Sequence, residues 1–480
     1  MRGHADGQGA SCTVKKISRL FLENHRSLCK HFKHRHEEFL MRKKGIFSTV
    51  LVLLVVAALV VGGYTFFKDM DGPVVQVSPN TGRVSPATVL QIRMDDPSGI
   101  RALTVGIRKN NVLNVIFNKH FEEYLPERVV NVPLKDANLR EGAFDLEIRA
   151  TDGSLAGFGQ GNTRTVQLPM RLDTQPPRIS VKTLPPNVRR GGSAVVRYTI
   201  DEDVSNSGVL VAGYFVPGFL QKDGSYLCFF PFPYTMTARD FKNAVEITAT
   251  DLAGNVTKSR LTVMAYERNF KSDSLELKDD FLLSVENKLR NLAPNAANPL
   301  ECYLYINNQV RAANVQTLRE IGKDTAAAML WSGAFTRLPR SAARAGFADH
   351  RFFHYQGKLV GESFHLGFDL ASVRNADVPA ANSGRVVYTG DLGIYGNLVV
   401  IDHGLGLMSL YSHLSEIQVN KGDVVKKGQT IARTGSTGLA FGDHLHFGML
   451  VGGVEVTPLE WIDPKWVRDN ITGRLEAAAN

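Results

Sequence analysis

Of the 13 histidines in this 480-residue chain, His365, His413, His444 and His446 lie in one C-terminal stretch, in settings that could do chemistry. His444 and His446 belong to Asp443-His-Leu-His-Phe447-Gly448. In a strand, residues i and i+2 point to one face, so both imidazoles are expected to enter one cleft while Leu445 and Phe447 face the core. His365 and Asp369 stand four apart in His-Leu-Gly-Phe-Asp, and in an extended segment they too would share a face. Together these make two imidazoles and a carboxylate available to a metal, with imidazoles to spare. A catalytic zinc uses three protein ligands and keeps one position open for water. A single isolated histidine is ordinarily a satisfied core residue, but four at these spacings are not explained that way. His403, in Asp402-His-Gly404 beside a turn, reads as structural, and no role attaches to His350 or His354. The chain has no HExxH helix, so no glutamate is placed to act as the base of that zinc-peptidase type.

Three blocks resemble the lysostaphin-type zinc endopeptidases, also called LytM-like peptidases. The first is His365-Leu-Gly-Phe-Asp369-Leu-Ala. The second runs from Tyr395-Gly-Asn397 through Ile401-Asp-His-Gly404 to Tyr411-Ser-His413-Leu. The third joins Gly422-Asp-Val-Val-Lys-Lys-Gly428-Gln, Thr434-Gly-Ser-Thr-Gly438 and His444-Leu-His446-Phe. The resemblance covers about residues 361–465, roughly a fifth of the chain. It implies that His365, Asp369 and His446 bind zinc, with His413 and His444 as the catalytic pair beside them. It implies further that a zinc-activated water attacks the scissile carbonyl while one imidazole accepts its proton and another stabilises the oxyanion. The protein that follows is a membrane-anchored zinc metalloendopeptidase hydrolysing peptide cross-links or stems of bacterial peptidoglycan, with Zn2+ as its cofactor. The alternative is a catalytically idle LytM-like module that binds and activates a cell-wall amidase. Such modules have degenerate metal positions, whereas His365, Asp369, His413, His444 and His446 are all present here.

Several elements must carry and position that site. Residues Ile46 to Phe67 run for 22 positions without a charged side chain. At 1.5 Å per residue this is roughly 33 Å, enough for a bilayer core. The apolar region of a cleaved signal peptide is about 7–15 residues behind a brief charged lead, and the lead here is 45 residues, so an N-terminal transmembrane helix is expected at 46–67. Residues 1–45 hold 11 Lys/Arg against 4 Asp/Glu, and the remainder 45 against 43. The net charge of +9 is therefore mostly that of a basic tail, expected to be cytoplasmic because Arg42, Lys43 and Lys44 precede the apolar run. The rest would be periplasmic, on a single-pass inner-membrane anchor. The expected partners are peptidoglycan, the inner membrane and other cell-wall enzymes; the near-balanced charge after the tail argues against nucleic acid. Cys228 and Cys302 would share the oxidising side, where they could pair or stay separate buried thiols.

Two stretches after the apolar run look alike, and their Thr-Asp pairs, at Asp152 and Asp251, are 99 residues apart. Short alternating runs such as Ala194-Val-Val-Arg-Tyr-Thr-Ile200, broken by Gly, Pro and Asn, predict a β-sandwich in each. The run Ala249-Thr-Asp-Leu-Ala-Gly-Asn255 resembles the last-strand signature of bacterial immunoglobulin-like modules. Leu282, Val285, Leu289 and Leu292 then recur at helical spacing. The expected architecture is mainly β: immunoglobulin-like sandwiches at 73–172 and 175–266, a helical linker region at 270–344, a zinc peptidase domain at 345–465 and a C-terminal tail at 466–480. The helical region, lying just upstream of the site, could fold back over the cleft.

Overall fold

The computed structural model describes residues 49–64, 69–109, 112–185 and 187–477. The chain is mainly β and divides into two compact units, one built mostly from residues up to Met170 and the other from Arg171 onward.

In the first unit, Val74–Ser78, Val89–Asp95 and Glu127–Pro133 form one antiparallel sheet, and Ile100–Lys109, Val112–His120, Gly142–Asp152 and Thr163–Leu172 lie in another. Period-2 alternation sets the inner face: Leu90, Ile92 and Met94 are buried while Val89, Gln91 and Arg93 are exposed.

In the second unit, Phe219–Leu220, Tyr226–Pro231, Ser193–Ile200 and Ile179–Thr183 form one four-stranded sheet. Tyr214–Pro217, Val204–Val211, Val245–Asp251 and Val256–Arg260 form another. Val196, Tyr198 and Phe230 of the first meet Val209, Val216 and Ile247 of the second in one core. The repeated Thr-Asp pair has the same task in both units. Asp152 accepts from the Asn162 amide at 2.8 Å and Asp251 from the Asn255 amide at 2.9 Å. Each amide also ties down the entering chain, at the Asp69 carbonyl (3.1 Å) or the Asp173 carbonyl (3.0 Å).

The C-terminal sheet has the order Ala342–Ala345, Phe368–Ala371, Leu445–Val451, Leu407–Ser412, Asn397–Asp402, Gly384–Asp391 and Val424–Val425, with Val454–Val456 paired to Leu445–Val451. Its central strands are buried at every residue. That is the pattern of a sheet covered on both faces. On one face, Leu282, Val285 and Leu289 of the helix Asp279–Leu289, with Tyr303, Ile306 and Leu318, pack on Leu398, Val400, Met408, Leu410 and Leu450. On the other, Trp331, Phe335 and Trp461 pack on Phe447, Met449 and Val451, joined by Val195, Leu227 and Phe229 of the first four-stranded sheet. The 270–344 stretch is thus half of a core rather than a linker. The 466–480 stretch is helical to Ala477 and buries Val467 and Ile471. Cys228 and Cys302 are separate, free and buried.

The N-terminal transmembrane helix expected at 46–67 is corrected here. The described part of this run, residues 49–64, is helical. No helix among the described residues is long and apolar enough to cross a membrane. Positions 46–48 and 65–67, and the basic tail with Cys12 and Cys29, lie outside the described residues.

Residues 345–480 expressed alone would expose the sheet face that the helices cover. Losing even a few buried Leu or Ile side chains costs about 2–5 kcal/mol each, as much as a domain's whole net stability of about 5–15 kcal/mol. This fragment should show no cooperative thermal transition. A sharp transition close to that of the full chain would show that the helices are dispensable.

Candidate metal centre and its cleft

His365 closes the strand Lys358–His365, and Asp369 lies in Phe368–Ala371, which belongs to a different sheet. The two were expected on one extended face. Instead Leu366-Gly367 carries the chain from one sheet to the other, and the side chains converge from separate strands. Asp369 stands in register with His446, and His446 with Ser412, on neighbouring strands. His413 follows directly after Ser412 in the left-handed region, at φ 63°, its amide donating to the Tyr395 carbonyl at 2.9 Å. His444 precedes Leu445–Val451 and bridges to Gly435.

Three potential ligand atoms meet at one point. His365 Nε2 lies 2.9 Å from Asp369 Oδ1 and 2.9 Å from His446 Nδ1, and His446 Nδ1 lies 3.0 Å from Asp369 Oδ1. A tetrahedron with zinc–ligand bonds of about 2.0–2.1 Å has edges of about 3.3 Å, so small relaxation would seat such an ion. The hydrogen bonds behind the rings support the same reading. His365 Nδ1 lies 2.8 Å from the Gly346 carbonyl, His413 Nδ1 2.8 Å from the Thr437 carbonyl and His444 Nδ1 2.8 Å from the Gly442 carbonyl. A carbonyl only accepts, so each Nδ1 carries the proton and each neutral ring turns the lone pair of Nε2 inward. His446 Nε2 is buried with no hydrogen-bond partner among the described residues, which leaves Nδ1 as the atom that answers the cluster. The donor set therefore fits a divalent cation that accepts nitrogen and oxygen ligands.

The electrostatics of these side chains follow from how closely they are packed. Burial alone would raise the Asp369 pKa, but the imidazoles of His365, His444 and His446 packed around its carboxylate hold it well below the usual range. Burial pushes His446 down to about 4, and burial with the neighbouring His446 and His444 holds His413 far below its usual value. For His444 burial acts downward too, yet Asp369, 3.5 Å from its Nε2, outweighs it and the pKa rises. His403 is a core residue, its ring between the Ser383 carbonyl and the Ser409 hydroxyl at 2.7 Å each. His350 pairs with Glu362 and stacks on Phe364.

The site opens into a cleft of about 650 Å³. The upstream region does not plug it; Leu275, Leu277, Phe281 and Tyr303 form a wall. Lys288 donates to the Ser436 carbonyl and to the Ala440 carbonyl (3.1 Å), which fixes the loop leading to His444. Sequence reasoning missed these wall residues, and it missed Gly367, where a side chain would run into the His446 imidazole. The glycine between His365 and Asp369 was the available signal.

The sequence profile of Peptidase family M23 matches residues 363–458, which contain all five of these histidine and aspartate positions. Residues 363–458 are an M23 peptidase domain. Among related proteins, the peptidoglycan DD-endopeptidase ShyB of Vibrio cholerae is 38% identical over 122 residues, 25% of this chain and 28% of that protein. The murein hydrolase activator NlpD of Escherichia coli is 36% identical over 113 residues, 22% of this chain and 30% of that protein. The matches thus span about a quarter to a third of the length of these relatives. Among solved structures, the catalytic domain of lysostaphin from Staphylococcus simulans aligns over 26% of this chain and 94% of its own, at 29% identity and a TM-score of 0.23.

Replacing Gly367 with Ala tests the geometry of the M23 site. The added methyl should displace His446 and lower the uptake of a divalent ion such as zinc at least several-fold; because Gly367 and His446 are both buried, the melting temperature should fall as well while the fold is retained. Full zinc occupancy in a folded Gly367→Ala protein would show that His446 is not held where the structure puts it.

Proposed function

We propose that this chain is a zinc-dependent peptidoglycan endopeptidase that hydrolyses the peptide cross-links or stems of the wall, with its M23 domain on the periplasmic side where that substrate lies. The observation that carries the reading is the convergence of His365, Asp369 and His446 within 4.8 Å of one another, with His413 and His444 facing the same cleft. The name of the Vibrio cholerae relative points to the same substrate.

In this reading His365, Asp369 and His446 hold the ion. Zinc bound there would lower the pKa of a water and polarise the scissile carbonyl. The protein's own part is positional. The Gly346 carbonyl fixes the tautomer of His365 and the strand register fixes Asp369 beside His446. His413 and His444, whose ring centroids are 4.9 Å apart, offer an Nε2 that accepts the water's proton, and a ring protonated there donates to the developing oxyanion. The apolar wall along Leu277, Phe281 and Tyr303 excludes bulk water from part of the cleft, which strengthens these interactions.

The second reading, an idle module that activates a wall amidase, is favoured by the likeness to an activator. Zinc stoichiometry measured beside release of peptides from cross-linked muropeptides separates the two. His365→Ala, Asp369→Ala and His446→Ala should each lose zinc and activity together. His413→Ala and His444→Ala should keep zinc while turnover falls by roughly 10²–10⁴-fold. A folded full chain that takes up no zinc and releases no peptide would instead support the activator.

A further inference from the structure

The cleft also carries positive charge that no ion pair among the described residues answers. Arg311 and Arg351 both line the cleft that contains the metal trio. Arg311 opens the helix Arg311–Ile321 directly after a single π-helical turn, Ile306–Val310. Such turns free a backbone carbonyl from the regular ladder and are frequent at functional sites. Here Arg311 Nε donates to the Asn307 carbonyl at 3.2 Å, and its Nη2 donates to Asn307 Oδ1 at 3.1 Å. Asn307 is itself buried and held by its amide to the Glu362 carbonyl at 3.1 Å. The guanidinium is therefore aimed by two bonds on one side. Among the described residues, its Nη1 has no hydrogen-bond partner, and neither Arg311 nor Arg351 forms an ion pair.

Arg311 and Arg351 are half-buried, and a guanidinium partly withdrawn from water ordinarily has a carboxylate beside it, because desolvating an unpaired ion is costly. Burial lowers the pKa of Arg311, and Arg351 adds like-charge repulsion. The buried acid that acts on Arg311 is Glu455, whose own carboxyl is pushed up by burial and forms no ion pair with it. Glu276, which also lines the cleft, accepts from the Gly357 amide instead. The rings of Tyr303 and Tyr395 flank the guanidinium and offer no countercharge, since burial raises both phenols.

We propose that Arg311 and Arg351 form a carboxylate-binding subsite that reads a free carboxylate of the peptidoglycan peptide bound across the metal centre. A guanidinium fixed from behind presents its remaining N–H groups in the planar fork that matches a carboxylate. This subsite rests on the peptidase reading for its substrate, yet it can be tested without turnover.

The probes are a cross-linked muropeptide dimer and the same dimer with its carboxylates converted to amides. Binding is measured by calorimetry on the zinc-stripped full chain and cleavage on the zinc-loaded full chain. The wild type should bind the acid form about tenfold or more tightly than the amide, the range of a charge-assisted pair. Arg311→Gln and Arg351→Gln should bring that ratio towards one and raise KM more than they lower kcat. Their zinc stoichiometry should stay at the wild-type value. Arg311→Lys, which keeps the charge but loses the fork, should retain part of the preference and guards against a loss due to misfolding. Equal binding of both dimers by the wild type would overturn the proposal, as would an unchanged acid-to-amide ratio in folded Arg311→Gln and Arg351→Gln proteins. Preference for the acid dimer without any cleavage would sink the peptidase reading and leave the subsite standing. Cleavage of both dimers at one rate would do the reverse.

Discussion

A carboxylate surrounded by imidazoles in a mostly buried place must have a positive charge to answer, and Asp369 is that carboxylate. Three rings lie within 3.5 Å of it, and each is prevented from turning away by a bond to the backbone or by packing. The rest of the C-terminal architecture follows from bringing these groups to one point. His365 ends a strand of one sheet, Asp369 and His446 sit side by side in another, and His413 leaves the next strand along. No single element could deliver four such groups, so the centre exists only while the sheets keep their mutual placement.

That placement is secured from both faces of the sheet. The helices between Asp279 and Ile321 cover one face and also raise the apolar wall of the cleft. The tryptophan pair Trp331 and Trp461 covers the other, their rings 5.7 Å apart at 81°, and draws the neighbouring sheets into the same core. The stretch that could be taken for a connector therefore serves twice, as core and as cleft wall. Arg311 illustrates the economy: its helix buries Leu318 against the sheet and sends its first residue into the cleft.

The sequence was most legible where a short period ties chemistry to geometry. His444-Leu-His446 has the period of a strand, and Leu445 and Phe447 are buried as that period requires. His365 and Asp369 were identifiable by residue type, but the path between them was not, because Leu366-Gly367 leaves one sheet for another and no periodicity announces such a step. Leu282, Val285 and Leu289 revealed a buried helical face, yet amphipathic spacing does not name the surface that receives it. The charge-free run at 46–67 was read as a membrane-crossing helix, and no helix among the described residues is long and apolar enough for that. Arg311 was silent altogether: a lone arginine in a polar helix reads as a solvated face until the cleft around it is seen.

His413 has a backbone consequence of its own. A β-carbon at φ 63° meets the following carbonyl closely, and the left-handed region costs a non-glycine residue on the order of 1 kcal/mol. Glycine or asparagine would relieve that strain, so under the proposed function folding and chemistry pull in opposite directions at this position. A library of this chain selected only for thermal endurance should drift away from histidine there, and the survivors would be sturdier proteins with a silent cleft. Seven other non-glycine residues of the described chain also have positive φ, so it is the place of His413 in the cleft, and not its backbone alone, that gives the strain a meaning.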